Sequence, residues 1–293
     1  MRLRISATTH LEQVHYFRGE YERVVELATD NLAALPADCV YEYVGLGALP
    51  SVWDRSWSVR SFAQLGRFAE AADHEAEAIR LAEPTHHAFT VGVAHWAAGT
   101  HHLVKGNWVK ARAQLDHVIA ALQTGNVVLT LPFAVASSAW VLAQLGEASE
   151  GLNRLREGEQ LVERLAARGI VGYHGWGYYS LGRAALLLGR LNEAWRQGDR
   201  AVESSPSQFG FAAHAHHLLG DIATHPDRLD PDLPLARPLQ RAAEPVLAVK
   251  AKTLDCWPLL WRGEDRFNQR HPCNQTGGAA DTVNSGTHCL IPS

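Results

Sequence analysis

Histidine is the residue type in this chain that is best suited to chemistry. Sixteen histidines occur among 293 residues, and seven of them form four pairs that are adjacent or one or two helical turns apart. Imidazoles that share a helix face could bind a transition metal. No cysteine and few carboxylates accompany them at ligand spacing, so we expect neither a metal site nor a cofactor. The pairs are His214 with His217, His95 with His102, His86 with His87, and His101 with His102.

Motifs for other chemistry are absent from the sequence. There is no G-x-x-x-x-G-K-[ST] loop for phosphate, no G-x-G-x-x-G after a strand, no G-x-S-x-G and no H-E-x-x-H. An ATPase or hydrolase of these types needs such residues at the reacting atoms. We therefore expect a non-catalytic protein.

Composition indicates a cytoplasmic protein that does not bind nucleic acid. The formal net charge is −4 and the basic residues are interspersed with acidic ones, so there is no clustered basic surface. The four cysteines lie far apart, which disfavours a zinc or disulfide framework. The first ten residues lack the continuous apolar core of a signal peptide.

The elements that would position any site follow from a repeat. Five glycines, each followed five residues later by a small residue and usually two residues later by a large one, stand 47, 40, 40 and 43 residues apart. They are Gly19, Gly66, Gly106, Gly146 and Gly189. A period of this length predicts stacked antiparallel helix pairs, in which each glycine is a turn and each small residue is a close helix contact.

Apolar periodicity around these turns predicts the helices and divides the chain. We expect an N-terminal helix pair over 1–35, a connecting loop over 36–50, a repeat array over 51–260 with a degraded last repeat, and a disordered tail over 261–293. An uncharged run over 127–145 is long enough to cross a bilayer, but we interpret it as a buried helix. The predicted helices are Trp53–Leu65, Glu70–Glu83, Ala88–Lys105, Trp108–Gln123, Leu129–Leu145, Ser149–Arg168, Tyr173–Leu188, Leu191–Ser204, Phe211–Thr224 and, weakened by Pro245, Ala236–Lys252.

The residues around the turns resemble the tetratricopeptide repeat. The resemblance implies an all-α, right-handed superhelix of stacked antiparallel helix pairs, a TPR-like α-solenoid. Gly151 and Gly158, where the family has alanine, and the prolines at 234, 238 and 245 depart from the pattern. The matching positions are Gly99, Gly182, Phe68, Trp108, Leu191, Ala71, Ala78, Ala111, Ala194, Ala201 and Pro206.

Segments 41–52, 186–194 and 216–225 are similar to a more specific group. They resemble the repeat region C-terminal to the ATPase module of bacterial adenylate or guanylate cyclase-like and ATP-dependent (LuxR-type) regulatory proteins. This resemblance implies a regulatory or sensing arm of a signalling protein. No catalytic part of those proteins is visible in the chain.

The tetratricopeptide resemblance also implies a groove for a protein or peptide partner. In that family the first helix of each pair lines the concave face at 13, 10, 6, 3 and 2 residues before the turn glycine. The alternative is that these aromatic residues are core between repeats. Counting back gives Trp53, Arg60, Gln64, Trp96, Thr100, Trp140, Gln144, Trp176, Tyr179 and Arg183, and His214 and His217 align if Asp227 replaces the turn residue.

The sequence thus predicts a non-catalytic protein–protein interaction scaffold. Its expected partner is a protein or peptide, with self-association possible, and we expect it to bind neither nucleic acid nor a membrane. Two alternatives stay open. The chain could be a remnant of a nucleotide cyclase or ATP-dependent transcriptional regulator without its catalytic domain. It could also be a histidine-based metal-binding protein.

Overall fold

The computed structural model describes residues 2–225, and every regular element in that range is helical. Short 3-10 helices, Ala37–Cys39 and Glu83–Thr85, follow the second and fourth α-helices. The predicted all-α helical-repeat fold is confirmed. The α-helices are α1 (Arg2–Phe17), α2 (Tyr21–Ala34), α3 (Pro50–Gln64), α4 (Phe68–Ala82), α5 (Ala88–Val104), α6 (Trp108–Thr124), α7 (Leu131–Gln144), α8 (Ala148–Ala166), α9 (His174–Leu187), α10 (Leu191–Glu203) and α11 (Phe209–Ala223).

The bounds of α3 to α11 agree with the predicted helices to within three residues at each end. This agreement arises because the turn glycines and the apolar period are local signals. The predicted helix over 236–252 and the predicted tail over 261–293 lie outside the described residues. The uncharged run over 127–145 forms the short helix α7, which is buried inside the array. Among residues 2–225, no helix combines the length and apolarity that crossing a bilayer requires.

The helices form two layers that differ in burial. Helices α3, α5, α7 and α9 are buried along most of their length. Helices α4, α6, α8 and α10 each bury only one stripe and expose the rest. The first set therefore forms the inner layer of the superhelix, and the second set covers it from outside.

Each predicted turn glycine ends its helix in the left-handed conformation. The φ angles of all five lie between 71° and 80°. At Gly66 the backbone N–H donates to the carbonyl of Ala63 over 3.1 Å, and the N–H of Arg67 donates to that of Phe62 over 2.9 Å. This pair of bonds is the Schellman arrangement, which satisfies the last carbonyls of α3 and reverses the chain into α4.

The small residues five positions after the turn glycines lie where paired helices touch. Val24, Ala71, Ala111 and Ala194 have no exposed side-chain surface. Gly151 takes this position between α7 and α8, where a Cβ would lie 3.2 Å from the backbone nitrogen of Ala143. The departure from alanine thus has a physical reason, because a methyl group here would be in tighter than usual contact with the backbone of α7.

A larger side chain at Gly151 should therefore force the two helices apart. We expect Gly151→Leu to lower the free energy of unfolding by about 1–3 kcal/mol, the usual effect of overpacking. Gly220→Ala in α11 is the matched control, because no atom of the described residues lies within 4 Å of the added methyl group. Removing that helical glycine should raise stability by about 0.5–1 kcal/mol. Urea denaturation measures the free energy of unfolding of both variants. Equal changes in the two variants would contradict the close approach of α8 to α7.

A buried acidic pair lies where α1 packs against α3. Asp54 of α3 accepts hydrogen bonds from the Thr9 hydroxyl over 2.6 Å and from the Asn31 amide over 2.8 Å. Glu12 of α1 is fully buried beside it. Burial, and next the Asp54 carboxyl, raises the pKa of Glu12 far above its usual range. Burial also raises the pKa of Asp54, although the hydrogen bonds from Thr9 and Asn31 lower it in part.

This pair should make the fold less stable as the pH rises. Because the native pKa is raised, the native state binds the proton more tightly than the unfolded state, so the stabilisation is complete at acidic pH and is lost as the pH rises. Each proton involved contributes up to about 1.4 kcal/mol per pH unit. We expect Glu12→Gln to be more stable than the wild type at pH 8.5, with a smaller difference at pH 5.5. A pH-independent difference between the two proteins, measured by urea denaturation, would refute this.

Candidate partner-binding interior

The predicted groove residues lie mostly inside the superhelix. Trp53 is half-buried at one side, against His10 and Phe89. His214 and His217 of α11 are also partly exposed. The buried members are Arg60, Gln64, Trp96, Thr100, Trp140, Gln144, Trp176, Tyr179 and Arg183.

Several of these side chains form a continuous row that begins at Trp140 in α7 and ends at Gln64 in α3. The ring of Trp140 packs edge-on against Tyr179 at 5.4 Å between centroids. Tyr179 also contacts Trp176 at 5.5 Å and His214 at 5.1 Å. A 3.2 Å contact joins the Nε2 of His214 to the Oε1 of Gln64, which is 150 residues earlier in the chain. The row therefore links repeats that no local pattern connects.

The first and last described helices meet across this interior. Tyr16 and Phe17 at the end of α1 lie 6.1 and 5.3 Å from the ring of Phe211 in α11. Phe17 also contacts Tyr173, which precedes α9, at 4.9 Å. The superhelix is thus closed on itself within the described residues, and its concave face is packed with aromatic rings.

Arg60 lies at the centre of this packing, 3% exposed. Its guanidinium carbon is 3.9 Å from the ring centroid of Trp57 and 4.8 Å from that of Trp96. The rings of Tyr16 and Tyr173 lie at 5.0 and 5.8 Å. Four aromatic faces therefore stabilise the cation through their quadrupoles.

No carboxylate of the described residues forms an ion pair with Arg60, and its Nε has no hydrogen-bond partner there. The other predicted groove arginine, Arg183, differs because it donates to Asp221 over 2.5 Å. A buried charge without a counter-charge is costly, because ring faces replace only part of the lost hydration. Arg60, which also hydrogen-bonds the Tyr173 side chain, is therefore a buried cation whose charge an anionic ligand would neutralise.

The surroundings of Arg60 are neutral and rich in donors. Burial raises the pKa of Tyr16 and Tyr173, while the Arg60 charge opposes it, so both phenols stay protonated. The indole N–H of Trp96 is buried without a partner among the described residues. Arg60, Trp96 and Thr100 line a gap too narrow to hold a water molecule. The interior thus offers donors and a positive charge to an acceptor group.

His214 carries no charge at neutral pH. Burial, and next His217 and Arg183, lowers the pKa of His214 to about 4. His214 is therefore a neutral imidazole between Trp176 and Tyr179, which it contacts at 5.8 and 5.1 Å. It acts as a packing and hydrogen-bonding group, as expected for a groove histidine.

The remaining histidine pairs do not come together as their spacing suggests. His95 and His102 contact different carboxylates, Glu83 and Glu75. His101 shares Glu75 with His102, so this adjacent pair does converge, through a residue that the spacing did not indicate. Burial raises the pKa of Glu75, but hydrogen bonds from both imidazoles, together with their electrostatic effect, lower it to about 2. In the adjacent pair 86–87, the second imidazole accepts from the N–H of Thr90 at the start of α5.

Sequence reasoning missed five aromatic residues of the interior. Tyr16 and Phe17 stand three and two residues before Gly19, so the same family offsets applied to the first pair would have found them. Trp57 lies one turn before Arg60 on α3 but outside the counted offsets, and Tyr173 and Phe211 had no such signal, because their contacts with Phe17 depend on the closure of the superhelix.

Comparisons with known proteins support the fold. No family model and no curated protein sequence matches the chain. The crystal structure of a Rap protein complexed with competence and sporulation factor superposes with a TM-score of 0.55 and 16% identity, over 88% of this chain and 66% of that chain. The crystal structure of BtubC (BKLC) from P. vanneervenii superposes with a TM-score of 0.51 and 15% identity, over 90% of this chain and 99% of that chain. This chain is thus a helical-repeat protein, and it spans just under two thirds of the Rap chain.

The unpaired charge of Arg60 has a measurable consequence for stability. We expect Arg60→Met to leave the free energy of unfolding unchanged or to raise it by about 1–3 kcal/mol, because an uncompensated buried charge is removed and the flexible thioether fills the space. Arg183→Met is the matched control and should lower stability, because it leaves Asp221 without its arginine. Denaturation midpoints report both. A clear loss of stability in Arg60→Met would show that the rings alone satisfy the cation.

Proposed function

We propose that this protein is a non-catalytic regulatory scaffold whose interior binds a peptide, or an extended segment of a partner protein, through a carboxylate. The observation that carries the proposal is Arg60, a buried cation without a carboxylate partner among the described residues. A guanidinium binds a carboxylate through two parallel hydrogen bonds, which are stronger than neutral ones. The bound group would supply the charge that the interior lacks.

The surrounding residues suit peptide recognition. Trp57, Trp96 and Trp176 are buried around the inner helices, and large aromatic residues with arginine are typical of binding hot spots. The free indole N–H of Trp96 could donate to a backbone carbonyl of the peptide. An aromatic cage with few acceptors therefore favours an acceptor-rich, extended ligand over a basic one.

Partner binding at this site requires α11, the last described helix, to separate from α1 and α3. The contacts across the closure include the rings of Tyr16, Phe17 and Phe211 and the bond between Gln64 and His214. In a repeat array each unit is held mainly by its neighbours, so such end-to-end contacts can be exchanged for contacts with a ligand. A peptide that binds only the open form would shift the population towards it.

A structural neighbour supports a binding role. The Rap protein of similar fold was crystallised in complex with competence and sporulation factor. A regulatory interaction on this architecture is therefore consistent with our proposal. At 16% identity the neighbour supports the use of the fold and says nothing about the residues that would make contact.

A more specific assignment of function rests on the segments 41–52, 186–194 and 216–225. We propose that the chain acts as the regulatory or sensing arm of a bacterial signalling protein in the cytoplasm, as the resemblance to cyclase-like and LuxR-type regulators implies. The remnant of such a regulator remains the alternative. A reading frame for a nucleotide cyclase or ATPase module directly adjacent to the coding region would favour the remnant.

The test is a peptide array probed with the whole chain. Each peptide is presented with a free C-terminal carboxylate and as the amide, and acidic side chains are varied. We expect binders that depend on a carboxylate, and an affinity at least ten-fold lower for Arg60→Gln, since one charge-assisted contact is worth about 1.4 kcal/mol or more. Fluorescence anisotropy with the best peptides measures the affinities.

Arg156→Gln is the control, because Arg156 is an exposed arginine on α8. It should bind like the wild type, and circular dichroism should show equal helicity for all three proteins. Binding that Arg60→Gln leaves unchanged would rule out this site. An array without any peptide bound above background would count against the function itself.

A further inference from the structure

A cluster of two imidazoles and one carboxylate lies outside the interior. Glu83 begins the 3-10 helix after α4, His95 belongs to α5 and His117 belongs to α6. One oxygen of Glu83 lies 2.6 Å from the Nε2 of His95 and 3.3 Å from the Nε2 of His117. The potential ligand atoms of the three residues all lie within 4.8 Å of one another.

The other ring nitrogen of His95 also has a partner. Its Nδ1 lies 2.6 Å from the amide oxygen of Gln114, one turn before His117 on α6. The Nε2 of His95 faces the Glu83 carboxylate at 2.6 Å. When the ring carries its proton on Nδ1, the lone pair of Nε2 can ligate a cation together with this carboxylate.

We infer that Glu83, His95 and His117 bind a divalent transition metal ion, with zinc as the reference ion. Two histidines and one glutamate are an established ligand set for zinc, and the amide oxygen behind His95 is the type of second group that orients a ligating imidazole. The protein would supply three ligands and leave the remaining coordination position open.

The distances fit this ion after a small movement. Ligands about 2.1 Å from a tetrahedral zinc lie about 3.4 Å from each other. The separation of 3.3 Å between Glu83 and His117 already agrees. The separation of 2.6 Å between Glu83 and His95 must widen, which the half-exposed Glu83 side chain permits. The centroids of the imidazole rings of His95 and His117 lie 4.0 Å apart.

The site is open to solvent on one side. The side chains of Glu83 and His117 are 46% and 49% exposed, whereas that of His95 is 8% exposed. Glu83 and His117 line a cleft of about 380 Å³ together with His86 and residues of α5 and α6. A metal ion can therefore enter, and its open position would face a space large enough for water or a small donor molecule.

The second cluster of this kind is not the site we propose. In it each oxygen of Glu75 bonds a separate imidazole, His101 over 2.6 Å and His102 over 3.0 Å. Both imidazoles are buried, and Phe68 stacks over His101. Both oxygens of its carboxylate already bond imidazoles, and the Glu75 side chain is 13% exposed whereas that of Glu83 is 46% exposed, so this cluster is less accessible to an ion.

Isothermal titration of the chelator-treated whole chain with Zn²⁺ tests the inference. We expect one equivalent of zinc whose binding is lost in His117→Ala and weakened about 10–100-fold in Gln114→Ala, the usual effect of removing a group behind a ligand. The half-exposed position of His117 allows its replacement without loss of the fold, which circular dichroism verifies. His10→Ala, an exposed histidine on α1, is the matched control and should bind like the wild type.

Co²⁺ identifies the ligands independently of affinity. Visible bands of a low-coordinate cobalt site without a thiolate charge-transfer band would support two nitrogens and one oxygen. The inference is overturned if the wild type binds no zinc, if His117→Ala retains the full stoichiometry, or if a thiolate band shows that cysteine holds the ion. None of these outcomes bears on peptide binding, because Arg60 is not part of this cluster.

Discussion

The array depends on the close contact between two antiparallel helices just after each turn. A glycine in the left-handed conformation reverses the chain, and five residues later a small side chain lets the second helix approach the first. Where α8 packs on the backbone of α7 even a methyl group would be tightly crowded, and Gly151 replaces alanine. Because this spacing recurs in every pair, the pairs have similar shape and can stack, and their inner helices become buried on nearly all sides.

Stacking also determines what the interior can contain. The inner helices bring aromatic side chains from separate repeats onto one face, and the meeting of α1 with α11 closes that face. Arg60 is retained in this packing although no described carboxylate neutralises it. Natural cores rarely keep such a charge without a reason, since an apolar residue of the same size would be at least as stable. A residue that lowers the stability of the free protein is expected where a ligand completes the site.

The sequence predicted the helices well because their signals are short-range. Turn glycines and the apolar period give the bounds of α3 to α11 without knowledge of the rest of the chain. The groove positions came from a family resemblance, and the structure places most of them inside, but the closure by Phe17 and Phe211 could not be seen, since they are almost two hundred residues apart. For the same reason histidine spacing along one helix did not reveal that His95 faces a glutamate and a histidine from two other elements.

Helix α5 shows how one inner helix serves two surfaces. Trp96 faces the interior and contacts Arg60 and Tyr173, while its neighbour His95 faces Glu83 and His117 between the outer helices. Successive helical residues point about 100° apart, so one can join the aromatic packing and the next the polar cluster. The side chain on the interior side is large and carries a hydrogen-bond donor, whereas the cluster on the outer side offers ligand atoms and is accessible to solvent. An inner helix that is buried nearly all round can therefore be polar at selected positions, provided that each polar group meets its partner on a neighbouring helix.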